Sequence, residues 1–404
     1  MTPYPRPQQT FPLQTRSLRA VQCGLTLIEL MVAVLISLVL SLAIFAVLSS
    51  SEGFKRTTTS VNDINQAGNY AMYTIDKWVR SAGSGFAQSG AYAFGCTVFA
   101  SKSGAQILPA GAAAPAPFDT VNTTATIGQF RLAPILIAPG QTTPGVSGAA
   151  SDALIVMAGA SGNGETAADF SGPSGPSSLP LTNVVSFRQD DIIMVADRNP
   201  PTAQLSPCMI QQVASAPAGN TLSLGGAYAS DTIGTASLSA TTDQSVALNL
   251  GNIVGNNPPS FLMIGVGANN TLFSYDLLRT TGTPLLPIAD GVFEMHALYG
   301  VDTDNNGTID SWIDPSAGGA YTLTALMAGD RTAAALLQTI KAVRVGLITR
   351  TSLPEKPGAG PVAPTTLTLF SDLGLTYTRT LTSTERQYRY RMIESTIPVR
   401  NALF

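Results

Sequence analysis

The residues best suited to chemistry lie late in the chain. Asp302-Thr303-Asp304-Asn305-Asn306-Gly307-Thr308-Ile309-Asp310 reads D-x-D-x-N-G-x-I-D, the first nine positions of a calcium loop. Side-chain oxygens from Asp302, Asp304 and Asn306 and a backbone carbonyl at Thr308 suit the long bonds and high coordination number of Ca²⁺, and Gly307 permits the sharp turn. The twelfth position, normally a bidentate Glu, is Ile313, so Asp310 or Asp314 must substitute and affinity should be weak. The bland alternative is an Asx-rich hairpin turn without metal. His296, the single histidine, sits in an alternating run with Phe293, Met295, Ala297 and Tyr299 and reads as an ordinary strand residue. Without His or Cys companions it builds no zinc cluster. No Gly-x-Ser-x-Gly elbow, Walker loop or dinucleotide glycine pattern stands out, so nothing points to an enzyme.

The elements around these residues come from composition. Of 404 residues, 45% are hydrophobic and only 12% charged, about half the usual charged share. Lys and Arg total 22 without a basic block, which argues against a nucleic-acid binder. The apolar residues concentrate in Leu25–Leu48, 24 residues carrying one charge, Glu29. At about 1.5 Å per residue this run covers roughly 36 Å, enough to cross a bilayer. Residues 1–24 hold Arg6, Arg16 and Arg19 and no acid, the pattern of an exported chain held positive-inside.

Three processing readings compete. A secretory signal would be cut after Ser41-Leu42-Ala43. A lipoprotein signal would use Cys23, but Gln22 precedes it. A cut between Gly24 and Leu25 would leave the apolar run in place, and only this cut gives Glu29 a role. A carboxylate in an apolar span costs at least about 2.5–3.5 kcal/mol and needs a partner. The new α-amino group of Leu25 is the natural cation.

Gly24-Leu25-Thr26-Leu27-Ile28-Glu29-Leu30 resembles the prepilin-peptidase motif of type IV pilins and type II secretion pseudopilins. The resemblance implies cleavage after Gly24, methylation of Leu25 and an apolar helix that stays in the mature protein. Leu25 stands where Phe is commoner, and Ala46 where many major pilins carry Pro. Further on, Lys77–Gly83, Phe94-Gly95-Cys96, Tyr299-Gly300-Val301-Asp302 and the stretch from Tyr390-Arg391 through Ile397–Asn401 are similar to PilW-type minor pilins. With the leader and Cys23 removed, the two remaining cysteines suggest a Cys96–Cys208 disulfide in a periplasm-facing domain. Two unpaired thiols are the alternative.

The implied fold is α+β. A leader (1–24) precedes a long N-terminal pilin helix (25–83, with 25–48 transmembrane). That helix packs on a mostly antiparallel, β-rich periplasmic or extracellular domain (84–404) with long loops. Val61, Ile64, Gly68, Ala71, Ile75 and Trp78 form one apolar stripe, Gly53 and Thr57–Thr59 suggest a break near 50–60, and Gly83-Ser84-Gly85 ends the helix. Strands are expected at 153–158, 184–187, 191–196, 208–213, 245–250, 261–266, 271–277, 291–299, 342–350, 365–370 and 387–397, with one helix near 331–340. Stretches 101–150, 159–182 and 214–243, and Pro354–Pro364, read as loops or insertions.

The implied function is that of a minor pilin that primes, and sits in or near the tip of, a type IV pilus. Its expected partners are prepilin peptidase, other minor pilins, the major pilin, a tip adhesin and the inner membrane. A minor pseudopilin of type II secretion, and a surface adhesin or carbohydrate-binding module, are the alternatives.

Overall fold

The computed structural model describes residues 24, 26–121, 128–142, 150–161, 167–199, 204–355 and 362–402. Residues 1–23, Cys23 among them, and Leu25 lie outside the described residues. The chain divides into two compact units, Met1–Arg56 and Thr57–Phe404. Helix α1 (Leu27–Ser81) begins in the first and ends in the second.

In the first unit, α1 opens with a capping box. The Thr26 hydroxyl accepts from the Glu29 N–H (3.3 Å), and both the Thr26 N–H and its hydroxyl donate to Glu29 Oε2 (3.1 Å each). The hydroxyls of Ser37 and Ser41 bond to the Val34 and Ser37 carbonyls, so these polar groups are satisfied on the helix itself. The other side chains of 27–48 are apolar and bare, Leu27 at 77% exposure and Phe45 at 71%. Among the described residues this is the one helix long and apolar enough to cross a membrane. The break expected near 50–60 is absent. Gly53 and Thr57–Thr59 lie within continuous helix, because a propensity cost of about 1 kcal/mol for glycine is too small to interrupt it.

In the second unit, α1 buries Ile64, Gly68, Ala71, Met72, Ile75 and Val79. Ile64, Gly68, Ala71 and Ile75 of the expected stripe are buried, Met72 and Val79 join them, and Val61 and Trp78 are only half-buried. Gly68 sets the distance of closest approach. A Cβ there would stand 2.6 Å from Ile393 Cδ1 and 2.9 Å from Thr349 Cγ2, so a bare backbone lets the helix lie against the sheet. Past the helix, Gly83 takes φ +81°, and its N–H bonds to the Met157 carbonyl at 2.9 Å.

Three larger sheets make up the rest. A four-stranded antiparallel sheet runs Ser311–Ile313, Val292–Val301, Ile340–Arg350, Tyr390–Pro398. A five-stranded antiparallel sheet runs Leu285–Asp290, Thr271–Asp276, Ser260–Gly267, Ser151–Ala158, Ile135–Thr142. A six-stranded sheet contains Val98–Lys102 and Cys208–Gln212, which pair in parallel. The hairpin Thr366–Leu369 with Tyr377–Thr380 supplies Leu367, Leu369 and Phe370 to a small core shared with Phe293, Leu298 and Ile348. Val292–Val301 is buried at every position, because one face meets the main core and the other meets this hairpin.

Most expected strands form. Val184–Phe187 does not: it is a turn, with the Phe187 N–H bonded back to the Val184 carbonyl at 3.1 Å. Stretch 101–150, expected to be loop, contains strands Ala105–Leu108 and Ile135–Thr142. Stretches 159–182 and 214–243 likewise hold short two- and three-residue strands. The single expected helix after residue 86 forms at Arg331–Thr339, capped by the Asp330 side chain on the Ala333 N–H.

Candidate functional site

Gly24 and Glu29 are the residues expected to serve processing and assembly. The capping box holds the Glu29 carboxylate 3.1 Å from the Thr26 N–H, one residue along the chain from Leu25. Leu25 itself lies outside the described residues.

The acidic loop joins Val292–Val301 to Ser311–Ile313, closed by the Asp310 N–H on the Val301 carbonyl (2.8 Å). It brings three of the expected ligands together: carboxylate oxygens of Asp302, Asp304 and Asp310 lie within 4.8 Å of one another. Asp302 is buried and takes the N–H groups of Asn306 (3.2 Å) and Gly307 (2.9 Å). Asp310 accepts from the Thr303 hydroxyl and N–H, which hold its carboxyl below the usual range. The Asn306 side-chain nitrogen donates to Asp304 Oδ2 at 2.9 Å, while its oxygen, the expected ligand atom, accepts from the Thr308 N–H at 2.8 Å. Asp314 is tied to Ser316 in a separate turn, so Asp310 is the carboxylate that joins the cluster.

Cys96 and Cys208 form a disulfide across 112 residues, with Cα atoms 5.7 Å apart. It ties the segment after α1 to the six-stranded sheet, beside the parallel pair Val98–Cys208.

One cluster was not legible in the sequence. His296 is buried and charged on both sides, with Nε2 3.4 Å from Glu294 Oε2 and Nδ1 3.6 Å from Asp152 Oδ2. Its ring stacks on Tyr377 at 3.7 Å between centroids. Glu294, fully buried, also accepts from Arg379 Nε (2.6 Å) and the Tyr377 hydroxyl (3.0 Å), and Arg379 reaches Glu385 at 2.8 Å. Asp152 accepts from the Gly140 and Ala297 N–H groups at 3.0 Å each. Burial works against the imidazolium, but Asp152 and Glu294 outweigh it and raise the His296 pKa to about 9. Burial and then Glu294 push the Tyr377 hydroxyl up. Asp152, His296 and Tyr377 line one wall of an open cleft of about 1000 Å³. The only sequence signal was the i, i+2 spacing of Glu294 and His296 on one strand face. Asp152 and Tyr377 are too distant along the chain to be paired by pattern.

Residues 19–50 match the prokaryotic N-terminal methylation motif, and residues 262–401 match the family described as Type IV Pilus-assembly protein W. The second match spans the four-stranded sheet, the acidic loop and the His296 strand; residues 51–261 lie outside both. Searches of curated proteins and of solved structures returned no match. The methylation motif, the apolar α1 and the mostly antiparallel β domain support a type IV pilus-related pilin. Within that class, the two matches support a PilW-type minor pilin.

Proposed function

We propose that this chain is a non-enzymatic minor pilin that helps prime a bacterial type IV pilus and remains in or near its tip. Cleavage by prepilin peptidase between Gly24 and Leu25 matures it. The observation that carries this reading is the methylation-motif segment, with its bare apolar helix and one capped carboxylate, on a chain whose residues 262–401 match the PilW family.

Before assembly, α1 anchors the subunit in the inner membrane with the β domain in the periplasm. Cleavage removes Arg6, Arg16 and Arg19 and creates an ammonium on Leu25. The capping box already holds Glu29 beside the residue that follows this ammonium, so an intramolecular pair, or one with a neighbouring subunit, needs little reorganisation. In a low-dielectric helix bundle an unpaired carboxylate is costly, and breaking such a pair costs roughly 3–5 kcal/mol. Pairing therefore fixes register while the aliphatic faces exchange lipid for other minor pilins and the major pilin. A tip adhesin is the partner expected above it. Weak Ca²⁺ binding by Asp302, Asp304 and Asp310, with Asn306 and Thr308 completing the loop, belongs to the same proposal; the D-x-D-x-N-G order supports it.

A Glu29→Ala strain tests the assembly role. Stable but unassembled protein and a loss of surface pili are expected, and normal piliation would overturn the register mechanism.

A further inference from the structure

The open cleft beside His296 is built from parts of the β domain that lie far apart in the chain. Gln141 and Asp152 come from the last two strands of the five-stranded sheet, His296 from Val292–Val301. Asp314 and Thr324 follow strand Ser311–Ile313, and Thr376, Tyr377 and Thr378 belong to the hairpin. At about 1000 Å³ the cleft reaches the upper end of the roughly 300–1,000 Å³ that small-molecule sites enclose.

The charged groups on its wall are already engaged. Asp152 accepts the Gly140 and Ala297 N–H groups and faces His296 Nδ1 at 3.6 Å. His296 Nε2 is turned to Glu294 at 3.4 Å. Asp314 accepts the Ser316 N–H and hydroxyl. An anion would be repelled by Asp152 and Asp314 and would find the imidazolium enclosed by acids. A cation would have to displace the donors these carboxylates hold.

What the wall leaves for a guest is neutral. Thr324, Thr376 and Thr378 are exposed, and their hydroxyls bond to none of the described residues. Gln141 donates to the Pro139 carbonyl at 3.3 Å, and its side-chain oxygen takes no bond from the described residues. One face of Tyr377 is covered by the His296 ring, 3.7 Å between centroids, and its hydroxyl is held by Glu294 at 3.0 Å. The ring is therefore fixed in orientation, with its remaining exposure along the cleft. Hydroxyls that both donate and accept, set around an immobilised aromatic ring, complement a pyranose, which offers hydroxyls at its rim and C–H groups on its face.

An extended peptide fits less well. The sheet edge bordering the cleft, Ile135–Thr142, carries Pro139, a Gly140 at φ +61° and a register shift between Ala138 and Thr142. Its Gly140 N–H is already spent on Asp152. Such an edge resists strand addition.

We propose that this cleft binds an uncharged oligosaccharide, with Tyr377 as the stacking platform and Thr324, Thr376, Thr378 and Gln141 as hydroxyl partners. The acids around His296 then serve to hold Tyr377 in place. Binding is a property of the β domain and stands or falls apart from the pilus role.

The test probes an array of neutral, sialylated and uronic-acid glycans with the full chain in detergent. Retention of neutral glycans, unchanged at high salt, is expected. Retention by N-acetylhexosamine oligomers alone would point to cell-wall glycan as the source, and by galactose- or mannose-terminated glycans alone to surfaces outside the cell. In calorimetry with the best-retained neutral glycan, Thr376→Val/Thr378→Val should raise Kd about tenfold, the loss expected for two neutral hydrogen bonds. Gln141→Ala, on a different element, gives a second check should the hairpin variant unfold. No retained neutral glycan, retention confined to acidic glycans, or an unchanged Kd in both variants would overturn the proposal.

Discussion

His296 makes folding stability depend on pH in a calculable direction. Its pKa is raised in the folded protein from 6.5 to about 9 by Asp152 and Glu294. The folded state therefore binds this proton more tightly than the unfolded chain. The stabilisation is complete below about pH 6.5, where both states carry the proton. It declines as pH rises and is lost once pH passes about 9. At about 1.36 kcal/mol per pKa unit the whole effect is on the order of 3 kcal/mol. Tyr377, the nearest other titrating group, is pushed further up and does not interfere in that window. Because the chain has a single histidine, the imidazole resonance of untagged protein reports the titration directly. Chemical unfolding at pH 6.5 and 9 reports the linked stability. His296→Gln should remove most of the pH dependence between those values and cost stability at pH 6.5. A midpoint near 6.5 in the folded protein, or unchanged stability from pH 6.5 to 9, would refute the electrostatic account of this cluster.

Other perturbations follow from the same structure. Ile75→Ala empties a fully buried position under α1 and should cost roughly 2–5 kcal/mol, measured by denaturant unfolding. Cys96→Ser/Cys208→Ser opens a closure of 112 residues and should cost about 4–5 kcal/mol in the chain-entropy model; free thiols found in the unreduced protein would contradict the pairing. Calorimetry with Ca²⁺ should show weak heat that Asp304→Asn reduces. No heat at millimolar calcium would leave the loop as a hydrogen-bonded turn.

What was legible in the sequence was what local pattern encodes. The apolar run with Glu29, the stripe through Ile64, Ala71 and Ile75, and most alternating strands follow from spacing over a few residues. Val184–Phe187 misled because a short apolar run does not distinguish a strand from a turn whose Phe187 docks on a core. Ile135–Thr142 was hidden inside a Gly-, Pro- and Ala-rich stretch, although Ile135, Leu136 and Ile137 are buried. The α1 break failed because helix propensity is a weak term beside continuous hydrogen bonding and packing. The acidic loop was visible because its ligands are contiguous. The His296 cluster was not, since Asp152, Glu294, Tyr377 and Arg379 meet only after two sheets and a hairpin have packed.

A pilin-type N-terminus implies cleavage after Gly24, and the N-terminal residue of the mature protein reads that cleavage without intermediaries. Terminal sequencing with mass spectrometry should find Leu25 first, bearing a methyl group, with the apolar helix intact. A mature chain starting after Ala43 would mean an ordinary secretory signal and would contradict the account.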